Sequence, residues 1–77
     1  MIATADTVIE LIEAHFEATD VDADTNLINE LGMDSLELLN IVVKIENKLH
    51  ISINDDAFEP APVTVGDLVK IVERVTA

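Results

Sequence analysis

Apolar residues recur at three- and four-residue spacing along three stretches of the chain, the mark of helices that bury one face. From Thr4 to Phe16 the inward stripe is Ala5, Val8, Ile9, Ile12 and Phe16, with Leu11 beside it and Glu10, Glu13 and Glu17 on the wet side. Thr4 or Asp6 is placed to cap this helix, and His15 falls near its C-terminal end, where a cation suits the dipole. From Asp34 to Leu49 there are two stripes. Leu38, Ile41, Val42, Ile45 and Leu49 suit a core, whereas Leu36, Leu39 and Val43 form a second row beside a polar seam of Glu37, Asn40, Lys44 and Lys48. A small chain has difficulty burying both, so the second row is a candidate partner face. The last stretch opens with Thr64, which makes a shortened capping box with Asp67. Val65, Leu68, Val69, Ile71, Val72 and Val75 face inward, and Lys70 and Arg74 come late.

The connections are less regular. Glu17 to Met33 lacks periodicity and reads as a long loop, with Leu27, Ile28 and Leu31 expected to plug it to the core. Within His50-Ile-Ser-Ile-Asn54, Ile51 and Ile53 alternate, but one such segment builds no sheet and is an extended connector. Asn54 is placed to cap a brief helical turn over Asp55 to Glu59, with Phe58 turned inward and Pro60 and Pro62 ending it. Gly66, in the first turn of the last helix, leaves room for another helix to approach. The fold class is therefore all-α: three long helices, one short helix, and a long loop between helices 1 and 2, in one domain spanning residues 1–77.

Composition narrows the function. With 77 residues there is room for one small core, and that core is aliphatic, because hydrophobic residues make up 49% and aromatics only 3%. A formal charge of −12 argues against nucleic acid or an anionic membrane as partner and suits basic patches on other proteins. No run approaches the length of a membrane span, so stable membrane insertion is not expected; the N-terminus lacks a signal-peptide pattern, and a cytoplasmic monomer is the default. Without cysteine there is no disulfide framework, thiolate nucleophile or Cys-based zinc site.

Candidate chemistry is sparse. The acids at Asp20, Asp22 and Asp24 match the first ligand positions of a calcium loop, but Thr25 stands where a glycine is needed and Leu31 where the bidentate acid belongs. No metal site is expected. His15 and His50 belong to no catalytic triad or HExxH spacing, and no Gly-rich phosphate cradle is present, so catalytic residues are expected to be none. The position that stands out is Ser35. Asp34 is an N-cap with Glu37 three residues on, which puts Ser35 on the first helical residue with its hydroxyl outward, where a helix N-terminus favours an anion.

Leu31-Gly-Met-Asp-Ser-Leu36 resembles the phosphopantetheine attachment motif of acyl carrier proteins. The likeness runs over essentially the whole chain: an amphipathic first helix, a long acidic loop, the serine heading the second helix, an Ile-x-Ile connector, and Thr64-Val-Gly-Asp-Leu68 opening the last helix. It implies a four-helix bundle, acyl-carrier-like, in which Ser35 receives 4′-phosphopantetheine from coenzyme A through a phosphopantetheinyl transferase. The thiol of that arm would hold acyl groups as thioesters and deliver them to enzymes of fatty-acid, specialised lipid or polyketide synthesis. The resemblance also implies that Asp34 helps present the serine to the transferase, that Leu36, Leu39 and Val43 make apolar partner contacts, and that Glu37 and Glu46 meet basic residues of acyl-loading and acyl-transferring enzymes. An aminoacyl or peptidyl carrier and an unmodified carrier-like interaction subunit are the alternatives. Three departures bear on the partner set: Asn40, Lys44, Asn47 and Lys48 dilute the acidity usual for the second helix, His50 stands where glycine often closes it, and Asn54 replaces a common proline.

Overall fold

A computed structural model describes residues 4–76. It contains three α-helices, α1 (Thr4–Phe16), α2 (Ser35–Leu49) and α3 (Val65–Thr76), and between the last two a single 3₁₀ turn, Asp55–Phe58. The all-α class stands, with a difference in its smallest element. The short fourth helix expected over Asp55 to Glu59 is only this one turn, closed by Ala57 N–H to the Asn54 carbonyl at 3.0 Å and Glu59 N–H to the Asp56 carbonyl at 3.3 Å. Asn54 contributes that carbonyl, not a side-chain cap.

α1 lies against both α2 and α3, and each helix supplies residues with no accessible surface: Val8 and Ile12, Ile41 and Ile45, Val65, Leu68 and Val72. These are the middle positions of the three stripes. The stripe ends Ala5, Ile9, Phe16, Leu38, Leu49 and Val75 are only partly buried around them, as expected where a small core runs out.

The 17–33 loop is held by its own core residues and by the start of α3. Leu27 is buried and Leu31 half-buried, but Ile28 points to solvent with 58% of its surface exposed, contrary to its expected role as a plug. Val21, Thr25 and Met33 fill that role with Leu27. The reason is the local turn: the Asn26 carboxamide oxygen accepts from Ile28 N–H (3.0 Å) and Asn29 N–H (2.8 Å), turning residue 28 away just after Leu27 has been driven inward. Three backbone bonds then join the loop to α3 and its approach: Leu27 N–H to Val63 O at 2.8 Å, Val65 N–H to Thr25 O at 3.0 Å and Gly66 N–H to Ala23 O at 2.9 Å. The partner that comes close to Gly66 is this loop, not a helix. A β-carbon at residue 66 would stand 3.0 Å from the Ala23 carbonyl oxygen.

At the head of α3, Thr64 Oγ1 accepts from Asp67 N–H (3.1 Å), while the Asp67 carboxylate accepts from the N–H groups of Val63 (3.0 Å) and Thr64 (3.2 Å). The capping box read from the sequence forms in full. Those two backbone donors, helped by Lys70, hold the Asp67 carboxyl below its ordinary pKa.

Candidate functional site: the head of helix α2

The chain reaches α2 through a turn that requires glycine. Gly32 has φ +67°, and a β-carbon there would touch nothing within 4 Å, so its backbone conformation and not space sets the requirement. Gly32 N–H donates to Ile28 O (3.0 Å) and Met33 N–H to Leu27 O (2.9 Å), and the buried Met33 side chain pins the next residue. Asp34 is then an extended N-cap whose Oδ1 accepts from Glu37 N–H at 2.8 Å. Ser35 follows as the first residue of the helix and is exposed.

Only half of the predicted α2 capping box is made. Glu37 does not reach back to the cap. Its carboxylate meets His15 Nε2 of α1, and Lys44 Nζ lies 2.7 Å from His15 Nδ1. With lysine donating to Nδ1, the ring proton sits on Nε2 and points to Glu37. His15, read from the sequence as a surface residue, is a half-buried bridge between α1 and two residues of α2, and its ring stands edge-on to Phe16 at 4.9 Å. Charge placement on a helix surface predicts near neighbours within the helix; this bridge spans 22 and 29 residues and had no local signal. Glu46 is engaged as well, its Oε2 accepting from Ile53 N–H at 2.8 Å and tying the connector to α2.

The second apolar row stays in water. Leu36, Leu39 and Val43 are 66%, 58% and 52% exposed. Beside it runs a groove of about 390 Å³ lined by Ser35, Leu38, Leu39, Val42, Val43, Glu46, Ile53 and Phe58. A smaller depression of about 260 Å³ meets Ser35 from the other side, between Leu27, Ile28, Met33, Leu38 and Pro62. The site is thus an exposed hydroxyl at a helix N-terminus, at the mouth of an aliphatic groove. An esterified phosphate would find the field of the helix N-terminus there, and a flexible chain beyond it would find apolar walls. The residues present fit such a group.

The acids of the loop do something else. Asp20, Asp22, Asp24 and Glu30 share one open, polar hollow, but the Asp22 carboxylate accepts from Asp24 N–H (2.9 Å) and Thr25 Oγ1 (3.3 Å), and Glu30 accepts from Asn26 N–H. They order the loop backbone. Among the described residues no cluster of three or more acids, histidines or cysteines is arranged to hold a metal ion, and no helix is long and apolar enough to cross a membrane.

A short helical bundle that offers one serine at a helix head, beside an apolar groove and without a catalytic constellation, has the form of a carrier rather than an enzyme. Comparison with known proteins gives the same class. Residues 5–72 match the family model described as the phosphopantetheine attachment site. An acyl carrier protein of Sulfurovum sp. (strain NBC37-1) is 41% identical over 56 residues, covering 73% of each chain. A solved structure of a candidate acyl carrier protein from Mycobacterium tuberculosis superposes with a TM-score of 0.82 at 25% identity, covering 94% of this chain and 97% of that one. The chain belongs to the acyl carrier family, whose prosthetic group is 4′-phosphopantetheine. Members of this family are carriers, generally non-catalytic, that engage a phosphopantetheinyl transferase and acyl-handling enzymes.

Proposed function

We propose that Ser35 is the residue that carries 4′-phosphopantetheine and that the chain, acting as a single cytoplasmic domain and a monomer, shuttles acyl intermediates between enzymes of fatty-acid, specialised lipid or polyketide synthesis. The observation that carries this reading is the exposure of Ser35 on the first residue of α2, at the mouth of the 390 Å³ groove. When bound, the group supplies the thiol that this cysteine-free chain lacks, on which acyl groups are held as thioesters.

The chain's own residues do the rest. Gly32 and the Met33 anchor aim the helix head, and Asp34, by capping α2, fixes the backbone on which the serine is presented to the transferase. Leu36, Leu39 and Val43 offer an apolar contact beside the reacting hydroxyl. Leu38, Val42, Ile53 and Phe58 give the groove walls that part without stranding a polar group, so an acyl chain entering there loses only water.

The test is intact-protein mass after incubation with coenzyme A, magnesium and a broad-specificity phosphopantetheinyl transferase, followed by peptide mapping. One phosphopantetheinyl group on Ser35 is the expected result. No gain on a folded protein, or a gain mapped to another residue, would overturn the assignment and favour an unmodified interaction subunit.

A further inference from the structure

The formal charge of −12 is unevenly placed. Within α2, Glu37 and Glu46 are matched by Lys44 and Lys48, so the helix that presents Ser35 carries no net charge. Both of its carboxylates are also already used, Glu37 on His15 and Glu46 on the Ile53 N–H. A basic patch brought against this helix would meet two lysines and two acids whose hydrogen-bonding is committed within the chain. What faces outward freely is Leu36, Leu39 and Val43, spaced by three and four residues so that they form one row.

We infer that the transferase docks on α2 through an apolar surface that covers Leu36, Leu39 and Val43, without a basic patch opposite the helix. This rests on the carrier reading above and sharpens it by naming the chemistry of the partner surface. The long-range attraction of a basic partner remains, but it comes from acids outside α2, chiefly the 17–33 loop. Apolar burial then supplies the local affinity: covering one exposed leucine is worth about tenfold or more in binding.

The experiment compares steady-state transfer of the arm to the wild-type chain and to E37Q, E46Q, L36S and L39S, each with its urea-unfolding midpoint measured. Glutamine keeps an acceptor oxygen for His15 Nε2–H and for the Ile53 N–H, so E37Q and E46Q remove charge and leave the internal bonds in place. The expected result is a KM within twofold of wild type for both glutamine variants, and a KM raised about tenfold for L36S and L39S with midpoints little changed. A KM raised fivefold or more by either glutamine variant, or leucine variants that bind as wild type does, would overturn the inference. Failure of the wild-type chain itself to accept the arm would overturn the carrier reading, and is seen before any variant is compared.

Discussion

Replacing His50 by glycine tests whether α2 ends under strain. The helix closes with His50 at φ 56° and ψ 48°, in the left-handed region; its N–H bonds to the Glu46 carbonyl, and Ile51 N–H reaches the same carbonyl at 3.1 Å. This is the closure that glycine usually provides. For an L-residue the left-handed conformation costs roughly 1–2 kcal/mol. Glycine escapes that cost but gives up about 0.5–1 kcal/mol more backbone entropy on folding. The difference predicts that H50G is more stable by about 0.5–1 kcal/mol, which in a domain of this size raises Tm by roughly 2–8 °C. Urea unfolding followed by far-UV circular dichroism measures it: the midpoint should rise with the slope m unchanged. H50A is the control, because alanine keeps the left-handed cost while removing the exposed imidazole. A lower midpoint for H50G, or an H50A variant as stable as H50G, would refute the reasoning, since the imidazole and not the backbone would then govern this turn.

Other expectations follow from the same geometry. S35A should fold with an unfolding midpoint within about 0.5 kcal/mol of wild type, its side chain being exposed, and should gain no mass from the transferase; any gain would move the attachment site elsewhere. I45A removes a fully buried side chain at the centre of the core and should cost about 2–5 kcal/mol by urea unfolding, a large share of the roughly 4–12 kcal/mol available to a chain of this length. Asp67, with its carboxyl held below the ordinary value of 3.8 by the Val63 and Thr64 N–H groups, contributes stability that is fully present above that value and is lost as pH falls through the lowered one. The Tm advantage of wild type over D67N should therefore persist at neutral pH and close in strong acid; an advantage that survives there would place the effect outside titration of this group. Calorimetric titration with calcium should show no saturable site, since the loop carboxylates are spent on backbone donors.

Much of this was legible locally. The α1 and α2 ranges, the Thr64–Asp67 cap and the exposed Leu36, Leu39 and Val43 row follow from spacing and capping chemistry within one or two turns. The loop was harder. That Ile28 faces out while Val21, Thr25 and Met33 turn in depends on an Asn26 side-chain turn and on three bonds to the α3 end, none of which leaves a periodic trace. The short element before Pro60 has too few residues to close α-helical bonds and settles as one 3₁₀ turn.

Sequence alone determined the class of the protein: aliphatic stripes at helical spacing leave only a helical bundle, and a capped Asp34-Ser35 at a helix head leaves one residue well placed to receive an anionic group. Tertiary structure decided what the charges do. Glu37 could have closed its own capping box and Glu46 could have stood free in water, and both alternatives satisfy every local rule. Packing α1 against α2 brings His15 beside Glu37 and Lys44, and folding the connector back brings the Ile53 N–H to Glu46. An isolated segment contains neither partner, so the electrostatic character of the face around Ser35 exists only once the helices have docked.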